Sequence, residues 1–176
     1  GRPMSSHKPM YPASSPPAFE LVLIEPEIPT NTGNIGRTAA ATGSRLHVVH
    51  PIGFDMGEKA RRRAGLDYWD HIECREHDSW HTYLDDERPT RGWVFSAHGG
   101  RPHWDATFKK GDHLVFGGES SGLAEATQNA LLDRFGADTL LSIPMAGPPS
   151  VRSLNLATAV AIAAYEGLRQ LAADEK

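Results

Sequence analysis

Cysteine is almost absent from this chain: Cys74 is the only one in 176 residues. An intramolecular disulfide cannot form, which excludes a stapled secreted scaffold and leads us to expect a reducing, cytoplasmic setting. Apolar runs of the roughly 18 residues or more that a membrane-spanning helix requires are missing as well. The N-terminus lacks the compact apolar stretch of a secretory leader, so none is expected. Positive charge is not in excess, with 18 Lys and Arg against 22 Asp and Glu and a formal net charge of −4. The whole molecule is therefore not a basic nucleic-acid-binding arm, and a polyanion would have to meet a local patch. No histidine follows His113, and no G-x-G-x-x-G follows the first apolar run. The second absence argues against a conventional dinucleotide-binding Rossmann site.

Against these absences stand 39% hydrophobic and 23% charged residues, enough for the core of one domain. Residues 1–18 are rich in Pro and Ser and read as a disordered tail, leaving a single ordered domain over 19–176. Within it, short apolar runs of strand length alternate with helical patterns. The runs are "FELVLIE", "RLHVVH", "DHIECRE", "GWVFSA", "DHLVFG" and "DTLLSIP". Between them lie "NTGNIGRTAAATG", "GEKARRRAG", "SWHTYLDDE" and "LAEATQNALLDRF", and "SLNLATAVAIAAYEGLRQLAA" closes the series. This alternation predicts an α/β fold with a mainly parallel sheet flanked by helices on both faces. Asn31 or Thr32 is expected to cap the first helix, Gly43 to end it, and Ser153 to cap the last. The last helix is apolar nearly all round, which predicts burial on several sides, in the core or against a second subunit.

The stretch "VFGGESSGL", residues 115–123, contains the G-x-S-x-G pattern of a serine hydrolase, with Ser120 as nucleophile. Such a serine needs a histidine base, which in that fold follows it in the chain. Acids are available downstream in Glu125, Asp133 and Asp138, but histidine is not. Only His98 or His103 in a non-standard arrangement could serve. A tight strand-to-helix turn explains the glycines equally well, and so does a loop whose backbone approaches a ligand.

Three further constellations carry chemistry. In "EPEIPTNTGNIGR", Asn34 and Arg37 share a helix face, and free N–H groups at the helix start favour an anion such as phosphate. The alternative is that Asn34 caps the helix while Arg37 pairs with Glu25 or Glu27. In "EKARRRAG", Lys59, Arg61, Arg62 and Arg63 make a dense positive field, with Tyr68 and Trp69 nearby to stack on bases. Three loops at expected strand C-termini, 96–100, 116–122 and 143–153, could enclose one small molecule. His71, Cys74, His77 and His81 do not have zinc-ligand spacing, and a strand would send them to opposite faces, so no metal is expected.

Taken together, "LVLIEPEIPTNTGNIGRTAAATGSRLHVVHPIGF", "RRRAGLDYWD", "VFGGESSGL" and "IPMAGPPSVRSLNLATAVAIAAYEGLRQ" resemble the SPOUT superfamily of RNA methyltransferases. Within it they are most similar to the small tRNA 2′-O-methyltransferases that modify the wobble cytidine or uridine. The resemblance implies an α/β domain with a C-terminal trefoil knot and S-adenosylmethionine as cofactor. It also implies a homodimer acting on the tRNA anticodon stem-loop, with no membrane. Ser96, Gly117, Ile143 and Ser153 match family cofactor contacts, with Gly99, Met145 and Leu154 as neighbours. Arg37, Asn34 and Glu119 take the catalytic positions. Lys59, Arg61, Arg62 and Arg63 would grip tRNA phosphates, and Tyr165 would meet RNA or the partner subunit. Two departures touch the mouth of the site: Ser121 stands where the family carries Arg, and the loop before Arg152 is longer than usual. The remaining alternatives are action on another tRNA or rRNA site, hydrolysis at Ser120, and RNA binding without chemistry.

Overall fold

The computed structural model describes residues 16–57 and 67–175. Seven parallel strands form one sheet: β1 (Glu20–Ile24), β2 (Arg45–Val49), β3 (Cys74–His77), β4 (Gly92–Phe95), β5 (Arg101–Pro102), β6 (His113–Phe116) and β7 (Leu140–Ser142). Their order is β3-β2-β1-β6-β4-β7-β5. The helices are α1 (Pro29–Thr42), α2 (Trp80–Glu87), α3 (Glu125–Phe135) and α4 (Leu156–Asp174). The expected α/β architecture, a mainly parallel sheet flanked by helices, is therefore present.

The central strands are continuous apolar runs because both sheet faces are covered. Along β1 successive side chains alternate between two cores. Leu21 and Leu23 join Ile35 and Ala39 of α1 and Val160, Ala163 and Ala164 of α4 on one face. Val22 and Ile24 join Tyr83 of α2 and Leu131 of α3 on the other. The chain steps outward from β1 to β2 and β3 on one side, and β6, β4, β7 and β5 extend the sheet on the other. The order reverses at β1 and β6, and a parallel sheet leaves a crevice at the C-terminal ends of strands at such a point.

Several local expectations are corrected. Helix α1 starts earlier, with Ile28 as N-cap and Pro29 at the first turn, so Asn31 and Thr32 lie inside it rather than capping it. Proline is suited to that first turn because its missing N–H would have had no partner there. Gly43 does end α1, in a left-handed conformation (φ 66°, ψ 33°) with its N–H on the Ala39 and Ala40 carbonyls. Helix α4 is capped by Asn155, not Ser153: the Asn155 side chain accepts from the Thr158 N–H at 3.2 Å. β3 is shorter than the expected run, because residues Asp67–His71 form a 3-10 turn. The two-residue strand β5 is too short to leave a sequence pattern. The expected helix over 57–65 lies almost wholly outside the described residues.

Helix α4 buries Val160, Ala163, Ala164 and Gly167, while Tyr165 stays 50% exposed. Within this chain, then, it is covered along one flank rather than all round. Gly167 is required where it sits, since a Cβ there would lie 2.5 Å from Cζ of the buried Phe19 ring.

The second core contains polar groups. Tyr83 is fully buried with its hydroxyl hydrogen-bonded to Nδ1 of His113. Burial pulls the His113 imidazole from 6.5 down to about 4, with Glu20 and Glu87 opposing and His47 and Arg45 assisting. The fold thus favours neutral His113, whereas the unfolded chain protonates it near its ordinary value. This stability is complete above the unfolded value and is lost as pH falls from there toward the folded one. It amounts to about 3 kcal/mol. Urea unfolding across that window should show the loss. The Tyr83→Phe/His113→Phe double variant, which removes the imidazole together with its buried partner hydroxyl, should show a flatter pH profile.

Candidate functional site

The loops that follow β1, β6, β4 and β7 all leave the same edge of the sheet, because the strands are parallel and mutually adjacent. The β1 loop turns at Glu25, a non-glycine residue at φ 54°, and enters α1. The β6 loop, Gly117–Leu123, folds back on itself through the Gly122 N–H to the Gly118 carbonyl at 3.0 Å. A Cβ on Gly117 would come within 2.3 Å of the Gly122 carbonyl carbon, and one on Gly118 within 2.8 Å of the Glu25 carbonyl oxygen. These glycines are needed for the approach of the protein's own backbone.

The two loops exchange carboxylates. Glu119 accepts from the Glu27 N–H (2.8 Å), the Ile28 N–H (2.6 Å) and the Asn31 side-chain amide (3.2 Å). Glu27 in return accepts from the Ser120 hydroxyl at 2.7 and 2.8 Å and from the Ser120 N–H at 3.3 Å. The Asn31 side-chain oxygen Oδ1 then accepts from the Asn155 side-chain amide at 3.0 Å. A continuous hydrogen-bonded chain thereby ties the β6 loop, the start of α1 and the start of α4.

This arrangement changes two expectations. The anion at the start of α1 is the protein's own Glu119, placed where free amide N–H groups and the helix dipole favour negative charge. Ser120 donates to Glu27, and among the described residues no imidazole is its hydrogen-bond partner, so the arrangement a serine nucleophile requires is not built.

A scan against family models matches residues 18–165 to the SpoU rRNA methylase family. This chain belongs to the SpoU rRNA methylase family. Among curated proteins it is 46% identical over 154 residues to the tRNA (cytidine(34)-2′-O)-methyltransferase of Polaromonas sp., covering 86% of this chain and 90% of that one. Among solved structures it superposes at a TM-score of 0.76 and 49% identity on one described as "Structural insights into the 2-OH methylation of C/U34 on tRNA". That match covers 88% of this chain and 97% of the other. It also superposes on the SpoU methyltransferase AviRb from Streptomyces viridochromogenes in complex with AdoMet (TM-score 0.72, 26% identity), over 91% of this chain and 63% of that one.

In this SpoU chain, Ser96, Gly117 and Ile143 lie just beyond the adjacent strands β4, β6 and β7. The Ser96 hydroxyl accepts from the His98 N–H at 3.0 Å and donates to the His98 carbonyl at 2.9 Å, so it shapes its own turn. Gly99 holds φ +82°, and its missing Cβ would meet nothing within 4 Å. Met145 and Leu154 are 38% and 37% exposed, and Ser153, just before Leu154, is exposed as well. Asn34 and Arg37 lie on the exposed side of α1. Lys59, Arg61, Arg62 and Arg63 lie outside the described residues. Trp69 is 6% exposed and lies against α1 where a Gly36 Cβ would be 2.3 Å from its Cζ3, so it is a packing residue rather than a base-stacking one.

Sequence reasoning does not single out Asn155, and it gives Asn31 and Glu27 other roles, as a helix cap and as a partner of Arg37. The signal was present in part, since Asn31 stood out as a capping residue, but its partners lie 88 and 124 positions away. Replacing Glu119 with Ala should cost about 1–3 kcal/mol, because it removes a charged acceptor shared by two exposed backbone N–H groups and the partly buried Asn31 amide. A double-mutant cycle with Asn31→Ala, read by urea unfolding, should return a coupling energy of about 0.5–3 kcal/mol.

Proposed function

We propose that this SpoU chain methylates the ribose 2′-oxygen of the wobble nucleotide, cytidine or uridine 34, in the tRNA anticodon loop. The observation that carries the reading is near-full-length similarity at 46% and 49% identity to proteins described by that activity. S-adenosylmethionine fits as methyl donor, since the loops at the C-terminal ends of β4, β6 and β7 offer open space at Gly99 and exposed apolar side chains in Met145 and Leu154. Ser96, Gly117, Ile143 and Ser153 complete the residues that would hold it. The donor supplies a methyl group already activated on sulfonium, so the residues' task is chiefly positioning, which contributes roughly 7–11 kcal/mol in favourable cases.

A guanidinium is chemically unsuited to the part of general base, so Arg37 is given another role. Its fixed cationic fork is suited to hold a phosphate or to stabilise the alkoxide forming on the ribose. Asn34, one turn earlier on α1, orients that oxygen. Glu119 already accepts three hydrogen bonds, so it acts as a positioning residue that fixes the start of the helix carrying Arg37. Lys59 and Arg61–Arg63 would hold tRNA phosphates. The exposed Val151 and Tyr165 beside α4 support a homodimer formed there, with Tyr165 facing RNA or the partner. A trefoil knot in the C-terminal part completes the reading. No helix of the described residues is long and apolar enough to cross a membrane. The proposed reaction goes with its tRNA substrate, in the cytoplasm.

Incubation with methyl-labelled S-adenosylmethionine and bulk tRNA, followed by nucleoside mapping, should give 2′-O-methylated C or U at position 34. Label at another site, or none, would reject the assignment. Arg37→Ala should lower methyl transfer by roughly 100-fold or more while calorimetric binding of the methyl donor is retained. Equal loss of both would remove Arg37 from the chemistry. Arg62→Ala should weaken tRNA binding and reduce its salt slope by about 1.

A further inference from the structure

The second core, on the face covered by α2, holds a group of titratable side chains that the methyltransferase reading does not use. His47 of β2 is fully buried and His77 of β3 is 5% exposed. Their rings stack with centroids 5.2 Å apart, and Nδ1 of His47 faces Nε2 of His77 at 2.9 Å. Two imidazole nitrogens at this distance require a proton or a cation between them, since two lone pairs would repel.

The surroundings decide which nitrogen of His47 presents its lone pair. Nε2 of His47 lies 3.5 Å from the Glu20 carboxylate and has no hydrogen-bond partner of normal length. Glu20 is itself fixed by the Arg45 guanidinium. A carboxylate on that side favours the tautomer with its proton on Nε2, which leaves the Nδ1 lone pair aimed at His77. This is the carboxylate–histidine arrangement that orients ligands around bound zinc. Glu87 of α2 brings a carboxylate oxygen to 4.0 Å from His77 Nε2. One donor atom from each of His47, His77 and Glu87 lies within 4.8 Å of the others. Zinc bonds of about 2.0–2.2 Å place tetrahedral donors roughly 3.3–3.6 Å apart, so the His47–His77 pair at 2.9 Å has to open slightly and the Glu87 oxygen, 4.0 Å from His77, has to move inward. A cavity of about 360 Å³ is lined in part by Glu20, Glu87 and His113, so the cluster meets it on the Glu87 side, while His47 and His77 stay buried behind.

We propose that His47 Nδ1, His77 Nε2 and the Glu87 carboxylate form a zinc-class divalent metal site in the second core, with Glu20 orienting His47. The ligand set is two imidazoles and a carboxylate, which suits zinc or cobalt rather than magnesium or calcium. Arg75 is its competitor. Its guanidinium holds Glu87 at 2.9 and 3.1 Å, while also contacting Glu73 at 2.9 Å. Metal binding turns Glu87 away from Arg75, which keeps Glu73.

The test uses the full chain, stripped with chelator and titrated with Zn²⁺ alone by calorimetry and with Co²⁺ alone by visible absorption. One saturable equivalent is expected, with a rise in melting temperature. His77→Gln should abolish it and Glu87→Gln should weaken it at least tenfold, the second variant guarding against a failure of the first to fold. Arg75→Ala should tighten binding, because it removes the competing cation, and His71→Gln and His81→Gln should leave it unchanged. Absence of a saturable equivalent, survival of binding in both His77→Gln and Glu87→Gln, or weaker binding in Arg75→Ala would overturn the proposal.

Discussion

The Glu119 carboxylate rests on the amide N–H groups of Glu27 and Ile28, immediately ahead of α1, where backbone donors have no partner within the helix. The β1 loop, the β6 loop and the start of α4 are joined through that contact. It closes the β6 loop over the β1 loop, sets where α1 begins and holds Asn31, through which Asn155 and the start of α4 are placed. The reciprocal bonds from Ser120 to Glu27 lock the same two loops from the other direction. A charged acceptor shared among three donors makes stronger hydrogen bonds than neutral pairs do. The constraint is therefore strong enough to hold three segments distant in sequence in one geometry.

Close backbone approach makes this lock feasible. Side chains at Gly117 or Gly118 would collide with the protein's own turn and with the Glu25 carbonyl. Trp69 is accommodated against Gly36 in a similar way, one residue before Arg37. The helix that carries Arg37 is thus fixed at its start by a carboxylate and along its length by an indole, and a residue proposed to act by position is set on a rigid element.

The parallel sheet separates two chemistries. At the C-terminal edge the loops offer open space, glycine and apolar contact around the proposed methyl-donor site. On the α2 face, buried histidines meet carboxylates near the cavity by the starts of β1 and β6. Because side chains alternate along each strand, β1 serves both regions: its loop leads into α1, while Glu20 reaches the histidine cluster.

Much of the fold could be read from the sequence, because apolar runs of strand length, a helical period between them and Gly43 as a left-handed stop are local signals. The family resemblance was likewise carried by ordered motifs. The capping of α4 by Asn155 rather than Ser153 was misread, since both residues suit a cap and only the hydrogen bond to Thr158 distinguishes them. Composition determined that no intramolecular disulfide forms, and the absence of histidine after His113 ruled out a hydrolase triad in the usual order. Only the tertiary structure decided what Glu119 and Ser120 do, and that His77 meets His47 rather than Cys74 or His81. Those outcomes depend on contacts between segments far apart in the chain, which sheet order and register fix and which spacing along the sequence does not encode.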